Sequence, residues 1–270
     1  MSMFTVSDEC VRCGLCSRLC VTGIVHWEDG RKPFVPPERE GECIRCGQCA
    51  GFCPKSCCYL DFQKERPTVD AGRLPDAESA ELFLRSRRSI RRYKSEPVPE
   101  DIVRRIFETA RYAPTATNRQ PVRWAVSMTR ERTRAVGLMV EDVLKRQASE
   151  TPTDARSQKL LEALAKADPD HDLVFRGAPQ LAIAVVDRSH FFPEDAALAL
   201  TYFELAAHAL GVGCCWAGFF THAARQSAGI QKAVGVREDE RIVGAQMFGY
   251  PDQGRCRILP PRKETDISWI

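Results

Sequence analysis

Cys10-Val-Arg-Cys13-Gly-Leu-Cys16-Ser-Arg-Leu-Cys20 returns later in the chain as Cys43-Ile-Arg-Cys46-Gly-Gln-Cys49-Ala-Gly-Phe-Cys53. Each run has the spacing Cys-x2-Cys-x2-Cys-x3-Cys, and it is the clearest internal repeat. Ten of the thirteen cysteines lie at or before Cys58, so the thiols are concentrated in one short block. Three thiolates spaced three apart on a tight loop can face three corners of an iron-sulfur cube, and the fourth corner then needs a sulfur from elsewhere in the chain. Structural zinc would favour separated CxxC pairs arranged as tetrahedral fours. Cys57 and Cys58 stand outside the pattern and read as spare buried thiols, as do Cys214, Cys215 and Cys256.

Over residues 7–58 the sequence resembles a bacterial two-cluster ferredoxin, where the fourth cysteine of each run ligates the other cluster. The resemblance implies one 4Fe-4S cluster on Cys10, Cys13, Cys16 and Cys53, and a second on Cys43, Cys46, Cys49 and Cys20. Gly14 and Gly47 fall inside the two loops, where a missing side chain lets backbone amides approach sulfur. The chain departs from the compact ferredoxins in two ways. Val21 stands where the second run has Pro54, and 22 residues separate Cys20 from Cys43.

Beyond this block, Pro67, Gly72 and Pro75 mark a linker. The expected organisation is a two-cluster domain over 1–66, a linker over 67–79 and a larger domain over 80–270, consistent with 270 residues at roughly 150 per domain. There are 39 basic and 36 acidic residues, a net charge of +3, which gives nucleic-acid binding no support. Residues 1–9 have neither a basic n-region nor an apolar h-region, so a reducing, cytoplasmic setting is expected for the thiols. The longest conspicuous apolar run, 181–186, falls far short of the ~18 residues of a membrane span.

In the larger region, Pro99-Glu-Asp precedes Ile102, Val103, Ile106, Phe107 and Ala110 at helical spacing, which predicts a helix over 99–112. Residues 122–128 and 181–186 read as strands, the second apolar on both faces and therefore central in a covered sheet. A nearly continuous apolar helix is expected over 193–210, closed by Gly211. Strand patterns return at 212–219 and 241–248. The fold class is α+β, with helices covering a sheet.

Six of the ten residues from Arg85 to Lys94 are basic and none is acidic, a concentration suited to gripping a phosphate. Arg87-Arg-Ser-Ile-Arg91, the Ala113–Pro121 segment, Gly211-Val-Gly-Cys-Cys-Trp-Ala-Gly218 and Gly249-Tyr-Pro251, in that order, resemble the FMN-dependent nitroreductase family over about residues 80–270. The resemblance implies that Arg87, Arg88, Ser89 and Arg91 hold the FMN phosphate and ribityl chain, with Arg262 at the same phosphate. It implies that Pro114, Thr115, Ala116, Asn118 and Gln120 reach the flavin of a partner chain, making the active unit a homodimer. Trp216, Ala217 and Gly218 match the strand end lying against the isoalloxazine. No G-x-G-x-x-G follows a predicted strand, so a separate Rossmann nucleotide domain is not expected.

Clusters transfer electrons singly, whereas flavin exchanges them singly or as hydride. The expected activity is an oxidoreductase in which two 4Fe-4S clusters relay electrons from an external low-potential donor to FMN. The acceptor is then a nitroaromatic compound, quinone or activated double bond. Two alternatives remain: an NAD(P)H-dependent ping-pong flavin reductase with the clusters relaying outward, and a non-catalytic electron carrier or redox sensor. No catalytic side chain is assigned; His222, Tyr202 and Glu204 read as structural, and residues 130–176 are expected to furnish pocket elements.

Overall fold

The computed structural model describes residues 2–166, 172–254 and 256–270. The chain divides into two compact units: Met1–Leu74 with Thr115–Arg119, and Pro75–Pro114 with Gln120–Ile270. The 80–270 stretch expected as one unit is thus interrupted, because Thr115–Arg119 packs with the cysteine-rich residues.

In the first unit, strand β1 (Phe4–Val6) pairs antiparallel with β2 (Cys58–Leu60), placing Phe4 opposite Leu60 and Val6 opposite Cys58. The one-turn helices α1 (Leu15–Arg18) and α2 (Gln48–Gly51) carry Cys16 and Cys49. Each is entered through the same backbone turn, with Arg12 at φ 58° and Gly14 at 69° in one copy, and Arg45 at 52° and Gly47 at 72° in the other. At Gly14 the left-handed backbone is reinforced by packing, since a Cβ there would lie 2.7 Å from the Trp27 ring. Met3, Phe4, Ile24, Val25, Val35 and Leu60 form a small core with Cys16 and Cys58. The connection after Cys20 is ordered by paired backbone bonds between His26 and Phe34 and by Glu40, which accepts from the Met3 amide at 3.0 Å.

The second unit begins with α3 (Ala77–Ser86) and α4 (Glu100–Ala110), followed by β3 (Arg123–Ser127), α5 (Arg130–Ser149) and α6 (Ala155–Ala165). After these come β4 (Gln180–Asp187), α7 (Glu194–Ala209), β5 (Gly213–Trp216), α8 (Gly218–Gln226), α9 (Ala228–Ala233) and β6 (Glu240–Gly249). The strands form one antiparallel sheet in the order β3-β4-β6-β5. Central β4 is buried on both faces: Leu181, Ile183 and Val185 join the core beneath α5 and α8, while Ala182 joins the core beneath α4 and α7. The fold is α+β.

Several boundaries differ from those read in the sequence. The C-terminal end of the expected linker lies inside α3, whose start is capped by Asp76 accepting from the Ser79 amide at 2.7 Å. The strand expected over 212–219 stops at Trp216, because Gly218 opens α8 and the Thr221 amide already bonds Ala217 O. Helices α5 and α6 occupy most of the stretch expected to furnish pocket elements; positions 167–171 of that stretch lie outside the described residues. Among the described residues no helix is long and apolar enough to cross a membrane.

A buried ion pair pins one end of the sheet. Glu240 at the start of β6 is 2% exposed, and it accepts from Arg123 Nε of β3 at 2.6 Å across the intervening β4. Arg237 adds its backbone amide and its Nε, each at 2.9 Å. Chiefly through the Arg123 bond, the Glu240 carboxyl is held at about 2 against an ordinary value of 4.5. A depressed carboxyl stabilises the fold above its unfolded pKa and ceases to do so as pH falls through the folded one, a contribution on the order of 3 kcal/mol here. Urea unfolding of the wild type is expected to lose that stability between pH 4.5 and pH 2. Glu240→Gln should be less stable at pH 7 and show a shallower acid slope; equal slopes would contradict the assignment.

Candidate functional site

In the first unit the cysteines converge on two cavities. One is lined by Cys20, Cys43, Cys46 and Cys49, and the other by Cys10, Cys13, Cys16 and Cys53. Each cavity therefore takes three thiols from one run and the last thiol of the other. The repeated turn also aims a backbone amide at sulfur in both loops. The Arg12 N–H donates to Cys10 Sγ at 3.4 Å and the Arg45 N–H to Cys43 Sγ at 3.3 Å. Such donors favour thiolate, the form that ligates metal.

Cys57 and Cys58 are buried as expected, yet they also line the Cys10 cavity, with the Cys53, Cys57 and Cys58 sulfurs all within 4.8 Å of one another. Protonation distinguishes Cys16 from its neighbours Cys57 and Cys58. A hydrogen bond from Cys58 brings Cys16 down to about 7 and correspondingly pushes Cys58 up. Burial and the nearby Cys53 push Cys57 up to about 12. Cys16 is therefore the one of the three that most favours thiolate. Cys49 is raised to about 11 by burial, so metal binding at its cavity must displace that proton. The four-thiol sets fit an iron-sulfur cube in number and in their arrangement around separate cavities.

In the second unit, the basic segment is fixed against β5 and the end of β6. Ile90 N–H donates to Cys214 O at 2.8 Å, Lys94 N–H to Tyr250 O at 2.9 Å, and the buried Tyr93 hydroxyl to Ile90 O at 2.6 Å. Ile90 lies so close over Gly213 that a Cβ there would come within 2.6 Å of it. Two cavities flank this segment. Arg87 and Arg88 line one of about 660 Å³ together with Glu204 and His208. Arg91 lines another of about 600 Å³ with Arg156, Arg176, Trp216, Gly218 and His222. Both volumes are in the range of cofactor sites, commonly ~300 to 1,000 Å³.

The expected flavin residues are only partly brought together. Arg87 is engaged by Glu204 at 2.7 Å, and Ser89 lines neither cavity. Ala217 is fully buried, with its amide bonded to Ala245 O at 2.8 Å, while Trp216 and Gly218 reach the Arg91 cavity. Pro114 and Gln120 belong to the second unit, but Thr115, Ala116 and Asn118 belong to the first. Arg262 lies in the exposed C-terminal segment and lines neither cavity. Arg156 and Arg176 were not singled out in the sequence, where they are isolated basic residues without a motif. Of the side chains read there as structural, Glu204 and His222 line cavities and Tyr202 is exposed. Burial raises the Cys214 and Cys215 thiols, whereas Cys256 is exposed and departs from the buried role expected for it.

A profile described as "Nitroreductase family" matches residues 84–250. A protein from Methanothermobacter thermautotrophicus, provisionally named an NADH dehydrogenase/NAD(P)H nitroreductase, is 25% identical over 173 residues, which are 62% of this chain and 75% of that relative. Among solved structures, a nitroreductase with bound FMN from Bacteroides fragilis superposes with a TM-score of 0.58 at 19% identity, covering 70% of this chain and 97% of that one. A nitroreductase with bound FMN from Desulfitobacterium hafniense gives 0.56 at 20% identity, with the same two coverages of 70% and 97%.

The Trp216 ring occupies space that only glycine at position 244 leaves open, since a Cβ there would lie 2.5 Å from the indole and 2.9 Å from Leu200 Cδ1. Gly244→Ala is expected to cost about 1–3 kcal/mol as an overpacked site and to displace the indole. Thermal unfolding together with Trp fluorescence checks both effects, and an unchanged melting temperature and spectrum would exclude this packing.

Proposed function

The chain belongs to the nitroreductase family and is a flavin-dependent oxidoreductase; from that premise we propose that it delivers single electrons through two 4Fe-4S clusters to FMN for reduction of an electron-poor organic acceptor. The observation that carries the cluster half of this reading is the crossed lining of the two cysteine cavities. Zinc sites built from adjacent CxxC pairs would not call for that exchange. The ligand sets are Cys10, Cys13, Cys16 and Cys53, and Cys43, Cys46, Cys49 and Cys20.

When bound, the clusters supply one-electron steps and FMN supplies their conversion to a hydride equivalent. The residues of the chain supply position and charge. Arg87 and Arg88 take the phosphate end, with Glu204 orienting the Arg87 guanidinium. Arg91 and Arg176 place positive charge in the cavity beside Trp216 and Gly218, where it would stabilise an electron-rich ring. An external low-potential donor provides two electrons and water the protons, so that a quinone, for example, leaves as hydroquinone. Nitroaromatic compounds and activated double bonds fit the same electron demand.

A homodimer is part of this reading. Leu198 and Tyr202 on α7, with Phe191 and Phe192 before it, expose apolar surface that a second copy would cover. The abundance of free thiols fits a reducing, cytoplasmic setting.

Anaerobic purification followed by iron, sulfide and flavin analysis is expected to give about eight iron, about eight sulfide and about one FMN per chain. Zinc in place of iron would overturn the cluster assignment. In anaerobic stopped-flow, a reduced ferredoxin should bleach the flavin while NADH and NADPH leave it oxidised. Rapid bleaching by NADH would instead establish the second reading, an NAD(P)H-dependent reductase, which the name of the Methanothermobacter relative favours. Arg88→Ala should weaken FMN retention by about 1.5–3 kcal/mol, roughly ten- to hundredfold in Kd. Unchanged flavin content after gel filtration would remove Arg88 from the phosphate site.

A further inference from the structure

The second cysteine loop is held by a side chain far away in sequence. Within the first unit, Asn118 Nδ2 donates to Ile44 O at 3.1 Å and to Arg45 O at 3.0 Å. Both acceptors are carbonyl oxygens, so the side chain must present its NH2 group to them. The peptide that contributes Ile44 O also contributes the Arg45 N–H, which is the group 3.3 Å from Cys43 Sγ. A donor placed on the carbonyl of a peptide polarises that peptide and strengthens the bond made by its N–H.

The first loop is built in parallel, with its closing donor taken from nearby chain. There the Arg12 N–H faces Cys10 Sγ at 3.4 Å, and Trp27 Nε1 donates to Arg12 O at 3.0 Å. Trp27 and Asn118 thus bond the same carbonyl position in the two copies of the turn. The conformation around Asn118 is also unusual. Thr117 at φ 50° and Asn118 at φ 54° are successive left-handed residues. The first is costly for a β-branched side chain and persists only where packing enforces it.

We propose that Asn118 is a positioning residue for the cluster held by Cys43, Cys46, Cys49 and Cys20, and that it raises that cluster's reduction potential through the Ile44–Arg45 peptide. The inference rests on the cluster reading above. A cluster gains negative charge when it takes up an electron, so hydrogen bonds toward its sulfurs stabilise the reduced state more than the oxidised one. Loss of the Asn118 donor weakens the Arg45 N–H···S bond and moves the potential in the negative direction. The other cluster lacks this connection and serves as an internal reference.

The test uses the full-length holoprotein, purified anaerobically, with EPR followed during stepwise reduction and iron and sulfide assayed on the same samples. Asn118→Ala is expected to shift one of the two cluster potentials negatively. A tenfold change in that one-electron equilibrium corresponds to about 59 mV. Asn118→Asp, which sets a carboxylate against two carbonyl oxygens, should shift it further. Should Asn118→Ala lose iron, Asn118→Ser retains a donor, and a smaller shift of the same sign is expected. Both potentials unchanged in an Asn118 variant with full iron and sulfide would overturn the proposal. A wild-type protein without iron would overturn the cluster reading and this inference with it.

Discussion

Cys20 and Cys53 are each exchanged into the cavity formed by the other run, and the first unit depends on that exchange. Neither loop completes a four-thiol set with its own residues, so both copies of the turn must be correctly placed before either site is whole. The β1–β2 pair and the shared core of Ile24, Val25, Val35 and Leu60 serve this placement, since a unit of this size has little apolar surface to bury. Metal binding would add the missing stabilisation, because ligation energy counts as folding energy when no preformed site exists in the unfolded chain. The non-ligand thiols contribute differently. Hydrogen bonding between Cys58 and Cys16 lowers the Cys16 thiol and raises that of Cys58.

The second unit solves a separate problem, which is to hold basic side chains rigidly beside open space. Its antiparallel sheet is covered on both sides around β4, and the Arg87–Arg91 segment is tied by backbone bonds to β5 and β6. The guanidinium groups therefore project from a segment whose main chain is fixed. Two glycines permit the close approaches involved: Gly213 under Ile90 and Gly244 under Trp216. At the opposite end of β6, Glu240 draws Arg123 and Arg237 into one buried network, so the strand that supports Trp216 is anchored at both termini.

The legibility of these features in the sequence follows their physical origin. The grouping of eight cysteines around two cavities was readable because metal chemistry constrains residue type and spacing directly. The helix at Glu100–Ala110 and the buried strand at Gln180–Asp187 were readable because their apolar periodicity is strong. Helix α5 was not, because Arg and Glu residues mask the spacing of Val136, Val140, Val143 and Leu144, which alone decides its buried face. The termination of β5 at Trp216 depends on Gly218 starting a helix, a competition between neighbours that strand propensity does not register. Arg156 and Arg176 lie in no motif, and only the folded chain brings them to the cavity of Arg91. Cys57 and Cys58 carry no spacing signal, although their sulfurs crowd Cys53.

Asn118 shows the limit most clearly. Its place in the sequence suggested a flavin contact, and nothing local predicts acceptors on Ile44 and Arg45. Yet its covalent position has a consequence. Pro114 and Gln120 belong to the second unit, while the residues between them pack in the first. Ordering the Cys43 loop and ordering the Thr115–Arg119 segment are therefore one event, since each supplies hydrogen-bonding partners to the other. A chain that has not organised its second cysteine site leaves Asn118 without these acceptors and the left-handed pair Thr117–Asn118 without the packing that sustains it. Ordering of the Cys43 loop and the conformation of Thr115–Arg119 are in this way thermodynamically linked, and by linkage each must favour the other.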